Sequence, residues 1–328
     1  MPAPEIPLPR DDSLPATLAE FVVEFSDEAR CAELLRRWKY GQDGFVCPVC
    51  AGRKAWFLPS RRLDECVACH HQVSLTAGTV MHGTRKPLRL WFLAMYLFVA
   101  SKQGVSAMEL QRELGLASYE TAWTWLHKLR NAVAMRPTSP LRGSVEIDET
   151  WEGGLRRGHS GRPKVSDTSA LVMAAVEVSA EHACIGRLRL ESVANGSAAT
   201  FKRFLETHIE SGSTLFTDDW RSYRRPAADL GHEHHPTNVS KSPQRAHEVL
   251  PAVHRVFSLL HRVLLCTHQG AVRYKYLTSY LREFEFRFNR RTSATRGLLF
   301  QRVLSAAVRS TPPCYWKIVG RKNARTPL

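Results

Sequence analysis

Two Cys-x2-Cys pairs, Cys47/Cys50 and Cys66/Cys69, stand 15 residues apart. No other feature of this 328-residue chain constrains its folding as tightly. Four thiolates on two tight turns complete a closed tetrahedral shell, the arrangement of a structural Zn²⁺ site. Two disulfides would need an oxidising compartment. The segment between the pairs is strand-like and aromatic (Lys54 to Leu58), and Val73 to Thr76 follows the second pair. The spacing therefore predicts a zinc ribbon over residues 45–83. Cys31, Cys184, Cys266 and Cys314 are scattered and read as core or surface thiols.

Lys plus Arg number 46 against 31 Asp plus Glu, a formal net charge of +15. Such an excess favours a polyanionic partner, most simply nucleic acid. The longest apolar run, Leu90 to Ala100, covers 11 residues and is too short to span a bilayer. The first residues (MPAPEIPLPRDD) show neither a basic segment nor an apolar one of a secretory signal, so a cytoplasmic, nucleoid-associated protein without a membrane partner is expected.

Along the chain, a helix is expected from Ser26 to about Tyr40, with Cys31, Leu34, Leu35 and Trp38 on one face. After the ribbon comes an apolar helix from Pro87 to about Ser101. A short helix with Ser106 as its cap, a turn at Gly115–Ser118 and a helix from Tyr119 to about Ala132 follow. Short helix, Gly-containing turn, longer helix is the helix-turn-helix pattern, with a plain helical hairpin as the alternative. Met135 to Arg142, with two prolines, reads as a linker. Beyond it, strands are expected at 144–149, 169–178, 184–191 and 214–217. Helices are expected at 198–210, 252–265, 272–288 and 296–309. That succession suits a mixed α/β sheet. The expected organisation is a helical segment at 1–44, the ribbon at 45–83 and a helix-turn-helix-like DNA-binding domain at 84–134. An α/β domain at 143–310 and a basic tail at 311–328 complete it.

Asp148 and Asp218 each end an apolar strand-like run, Val145-Glu146-Ile147-Asp148 and Leu215-Phe216-Thr217-Asp218. A lone Asp in that place is commonly a turn residue. The pair, with the basic context and the later helix, favours carboxylates aimed at a cleft instead. His254 follows Asp218 after 35 intervening residues, on a helix-like segment where His254, Ser258 and His261 share a face. Strand-borne carboxylates with a helix-borne third ligand suit two divalent ions clamping a phosphodiester. Glu149 and Asp219 alternate to the opposite face and are second-choice ligands. Glu283 is a further acidic candidate. Two basic stretches, Arg156, Arg157, Arg162, Lys164 and Arg287, Arg290, Arg291, suit phosphate contacts.

In several motifs the chain resembles bacterial insertion-sequence transposases of the zinc-ribbon, ISXO-like group. The matching residues are Val-Glu-Ile-Asp148-Glu-Thr-Trp, Phe-Thr-Asp218-Asp-Trp-Arg-Ser-Tyr, His254-Arg-Val-Phe-Ser, Thr267-His-Gln-Gly and Tyr280-Leu-Arg-Glu283-Phe-Glu-Phe-Arg-Phe-Asn289-Arg-Arg. The resemblance implies an RNase H-like DDE domain. Asp148 and Asp218 become ligands of catalytic Mg²⁺ or Mn²⁺, and His254 holds the place of the third acid. It also implies double-stranded DNA partners, the element's ends and its target, with a homo-oligomer on the DNA. Three positions depart from the pattern. His254 replaces Glu, Leu259 stands where some relatives carry Asn, and His261 replaces a Lys. Imidazole suits Mn²⁺ better than Mg²⁺. The expected activity is strand cleavage and strand transfer, the alternative a decayed or repurposed transposase that binds DNA.

Overall fold

The computed structural model describes residues 15–134, 139–153, 169–179, 184–238, 245–270, 274–310 and 315–320. It divides into two compact units, residues 1–136 with 292–328, and residues 137–291.

The first unit opens with α1 (Leu18–Glu24), closed by a capping box in which Thr17 and Glu20 satisfy each other's backbone donors. Asp27, one residue later than expected, caps α2 (Glu28–Tyr40). Strands β1 (Ala55–Leu58), β2 (Leu63–Cys66) and β3 (Gln72–Ser74) form an antiparallel three-stranded sheet between and beyond the cysteine pairs. Lys39 ties the ribbon to α2, its Nζ donating to the carbonyls of Ser74, Leu75 and Ala77 at 2.8–3.2 Å. Helices α3 (Leu88–Ala100), α4 (Ala107–Glu113) and α5 (Tyr119–Ala134) follow. Ser106 caps α4 as expected, in a capping box with Glu109. Trp91 of α3 stacks on Trp125 of α5 at 3.8 Å between centroids.

The second unit is built on a five-stranded sheet: β4 (Ser144–Gly153), β5 (Ser169–Val178), β6 (Ile185–Val193), β7 (Thr214–Asp218) and β8 (Glu233–Thr237). The spatial order is β6-β5-β4-β7-β8. β5 is antiparallel to β4 and β6, while β7 is parallel to β4 and β8 to β7. This is the RNase H-like mixed sheet. Helices α6 (Ala198–His208) and α7 (Arg221–Asp229) cover one face through Phe201, Phe204, Leu205 and Tyr223. On the other face, α8 (Ala246–Val249) leads into α9 (Pro251–Arg262), which continues through a π-helical turn at Val263–Thr267, and α10 (Tyr274–Phe288) follows. Val253, Val256, Leu260, Leu281 and Phe284 fill that core. With both faces covered, β5 is a nearly continuous buried run.

Polar residues 224–250 carry little periodicity, yet they hold the end of α7 and all of β8. Pro226 lies inside α7, and β8 is an edge strand whose exposed positions take His and Pro. The other edge, β6, is covered by side chains of α10 and of the residue that follows it. Asn289 bonds Leu188 through both its amide atoms, and Glu285 accepts from Leu190 N at 3.0 Å.

The last helices, α11 (Arg296–Arg309) and α12 (Tyr315–Val319), belong to the first unit. The sequence pattern groups α11 with the α/β domain. Its Phe300 instead packs on Phe21, Phe25 and Phe92, with centroids 4.9–5.7 Å apart. Arg156, Arg157, Arg162 and Lys164 lie outside the described residues, as does most of the basic tail.

Candidate active site

β4 outlasts its parallel neighbour. The last paired residues are Ile147 and Thr217, and β7 ends at Asp218, whereas β4 runs on to Gly153. Asp148 and Asp218 therefore emerge side by side, on the sheet face that carries α9. Burial pushes the Asp148 carboxyl up to about 7; the Glu149 backbone N–H pulls the other way, and the Asp218 charge adds to the rise. Asp218 Oδ1 accepts from Trp220 N at 3.1 Å, which holds the turn into α7.

Glu149 corrects the alternation argument. One carboxylate oxygen from each of Asp148, Glu149 and Asp218 lies within 4.8 Å of the other two. Past the end of β7, β4 keeps β5 on one side and is open on the other, so at that open edge a side chain from the far face reaches the same cleft. Tyr223 fixes it. This fully buried ring is stacked on Phe201 at 4.2 Å and donates its hydroxyl to Glu149 Oε2 at 2.9 Å. Asp219 serves the loop instead, paired with Arg224 and accepting from Asn238 at 3.1 Å.

α9 brings two imidazoles to β4. His254 Nε2 lies 3.5 Å from Asp148 Oδ2. His261 Nε2 lies 2.8 Å from Glu152 Oε1, four residues further along the same strand face, and that contact raises the His261 pKa above its ordinary value. Leu259 packs against the core. Glu283 is buried on α10 and paired with Arg287 at 3.3 Å, so it has a structural partner of its own.

The arginines at the end of α10 make contacts within the fold, with Arg287 buried, Arg290 half-buried and Arg291 exposed. Arg287 is buried, which removes it from phosphate contact. Arg290 lies 4.2 Å over the Phe286 ring and donates to that residue's carbonyl. Arg291 lies over Phe288 and donates to the carbonyls of Phe288, Gly186 and Ile185. A sequence cluster of arginines does not show which guanidinium groups already have acceptors.

In the ribbon, one sulfur from each of Cys47, Cys50, Cys66 and Cys69 lies within 4.8 Å of the other three. Two of the edges, Cys47–Cys69 and Cys50–Cys66, measure 3.5 Å. A tetrahedron of Zn–S bonds has edges of about 3.8 Å. The two knuckles repeat each other: Ala51 N bonds Cys47 O and His70 N bonds Cys66 O, with φ of +57° at both donors. A Cβ on Gly52 would stand 3.2 Å from Cys66 Sγ and 3.3 Å from Cys50 Sγ, so the missing side chain lets the turn close. The Cys50 backbone N–H draws the Cys47 thiol down to about 6. These donors fit Zn²⁺, and the carboxylate group fits a hard divalent cation.

Residues 140–289 match the ISXO2-like transposase domain, and residues 26–72 match the transposase zinc-ribbon domain. A protein of Halobacterium salinarum described as an uncharacterized protein in transposable element ISH50 is 30% identical over 148 residues, 43% of this chain and 48% of that protein. The chain thus spans about half the length of that curated relative. Among solved structures, the simian T-cell lymphotropic virus intasome in complex with PP2A regulatory subunit B56 gamma aligns with a TM-score of 0.31 and 11% identity, over 72% of this chain and 77% of the other. A pre-cleavage Mos1 transpososome aligns with a TM-score of 0.28 and 12% identity, over 70% and 78%. The two domain matches, in the order ribbon then transposase domain, place the chain in the zinc-ribbon, ISXO2-like family of DDE transposases.

Proposed function

We propose that this chain cuts and joins DNA strands at the ends of its insertion sequence, with Asp148 and Asp218 holding divalent cations. The observation that carries the reading is the meeting of three carboxylates past the end of β7, with the Asp148 acid lifted by burial. Repulsion and desolvation of this kind are relieved by a bound cation. Bound Mg²⁺ or Mn²⁺, in two sites, would supply charge stabilisation for an attacking water or 3′-hydroxyl oxygen and for the leaving oxygen. Asp148 and Asp218 supply hard oxygen donors. Glu149 adds a third, held in place by Tyr223. His254, beside Asp148, supplies the nitrogen ligand at the position of the third acid. His261, whose pKa is raised by its contact with Glu152, stands where relatives carry Lys.

The N-terminal modules supply recognition in this reading. The α4–α5 pair and the zinc ribbon would bind the element's inverted repeats, and two ends held together require an oligomer on DNA. The net charge of +15 supports a duplex partner. The protein would then act on the chromosome, in the cytoplasm of a bacterial or archaeal cell. Among the described residues, no helix is long and apolar enough to cross a membrane.

A second reading, a DNA-binding protein without catalysis, is favoured by His254, Leu259 and His261. Calorimetric titration with Mn²⁺ tests the first. Binding that is lost in Asp148→Ala and Asp218→Ala supports it. Binding that is absent from the wild-type chain favours the second.

A further inference from the structure

Glu146 is the one charged residue of β4 that is completely buried. It precedes Asp148 by two positions and shares its face. Its neighbours across the sheet, Val176 and Phe216, belong to the core under α9. Its Oε2 accepts from Ala252 N at 2.8 Å and from Val253 N at 2.9 Å. These are among the first backbone donors of α9, which have no intrahelical acceptor. The helix has no cap of its own, because Leu250 at the N-cap makes no side-chain bond and Pro251 at the first position has no N–H. A carboxylate 106 residues earlier in the chain does the capping. The positive end of the helix favours its charge.

Three carboxylates of one strand thus meet one helix in step: Glu146 at Ala252 and Val253, Asp148 at His254, and Glu152 at His261. Seven residues of helix advance about 10 Å. Four residues of strand advance about 13 Å. The two spans are close enough for the helix to run along β4 with both imidazoles facing it. A slip of one residue would rotate His254 by about 100° around the helix axis, away from Asp148.

We propose that Glu146 is a positioning residue of the site. Its buried carboxylate sets the register of α9 on β4, and through that register the place of His254 beside Asp148. The claim rests on the reading of Asp148 and His254 as metal ligands. In that reading Glu146, buried against the start of α9, is not itself a ligand.

The test compares full-length wild type, Glu146→Gln, Glu146→Ala and Val256→Ala. Val256 is buried in the α9 core, so its truncation weakens the packing and leaves the cap in place. Amide exchange over residues 250–262, with no metal present, reads the anchor. Mn²⁺ binding by electron paramagnetic resonance, well below each thermal midpoint, reads the site. Glu146→Ala is expected to speed exchange at the start of α9 and to weaken Mn²⁺ binding by about 10- to 100-fold, as loss of an outer-shell partner does. The Gln variant keeps an oxygen for both N–H groups and restores most of both signals. Val256→Ala lowers the midpoint while Mn²⁺ affinity stays near wild type. Wild-type exchange in Glu146→Ala would overturn the proposal, and so would equal loss of Mn²⁺ binding in Val256→Ala. If the wild-type chain binds no Mn²⁺, the metal reading fails, and the exchange data still decide whether Glu146 sets the register. Should Glu146→Ala not fold, unprotected amides in Glu146→Gln overturn the proposal and protected ones support it.

Discussion

The imidazole of His254 stands 3.5 Å from the carboxylate of Asp148. In the proposed site this residue, which breaks the acidic pattern, would take the place of the third acid. A nitrogen donor there favours the softer divalent ion. DNA cleavage is therefore expected to be faster with Mn²⁺ than with Mg²⁺. His254→Ala should nearly abolish it, and His254→Glu should raise the Mg²⁺-supported rate by restoring a hard oxygen ligand. Rates of nicking on a labelled end duplex check this. An unimpaired His254→Ala would assign the third donor to Glu149.

The buried Asp148 predicts a pH dependence with a definite sign. Its folded pKa is about 7 against an ordinary 3.8. The native state therefore holds a proton that the unfolded state has released, and stability falls as pH rises through that window. Cation binding needs the carboxylate, so its affinity rises over the same range, by up to about tenfold per unit. The Mn²⁺-induced increase in melting temperature should be larger at pH 8 than at pH 6, by melting curves with and without metal. An increase of equal size at both would contradict the assignment.

The ribbon has a small core, in which Phe45 packs with Cys47 and Cys66. So little apolar burial leaves the metal to hold it together. One Zn²⁺ per chain is expected in the reduced protein, and Cys66→Ser should release it. Chelation should open residues 45–76 to proteolysis while the second unit stays folded. Metal analysis and limited proteolysis read both outcomes.

Gly196 has no room for a side chain. A Cβ there would overlap Cη2 of Trp220 and stand 2.8 Å from its Cζ2. Trp220 also supplies the N–H that holds Asp218. Gly196→Ala should cost about 1–3 kcal/mol of stability, the usual penalty for overpacking. It should also weaken divalent-cation binding, because the displaced tryptophan carries the Asp218 turn with it. Thermal melts and a Mn²⁺ titration of the variant check the pair of effects.

Strong local chemistry made much of this legible. The Cys spacing gave the ribbon, Ser106 marked the start of α4, and the unbroken apolar run gave β5. Asp148 and Asp218 were visible because each ends an apolar run. What escaped depends on contacts between distant segments. Thr17-x-x-Glu20 is a readable capping box that directly follows a Pro-rich stretch. Alternation puts Glu149 on the opposite face, a separation that fails at the edge of β4 where β7 has ended. Nothing in the sequence marks Glu146, because its partners lie more than a hundred residues away. The carbonyl acceptors of Arg290 and Arg291 leave no mark in a sequence.

Cleavage of a labelled duplex carrying the inverted repeats that flank this gene, in Mn²⁺, tests the central claim most directly. Wild-type protein should nick at the repeat boundary, and Asp148→Ala and Asp218→Ala, folded and still bound to the duplex, should not. Nicking that persists in either variant, or a wild-type chain that binds the ends and never cuts them, would contradict the account.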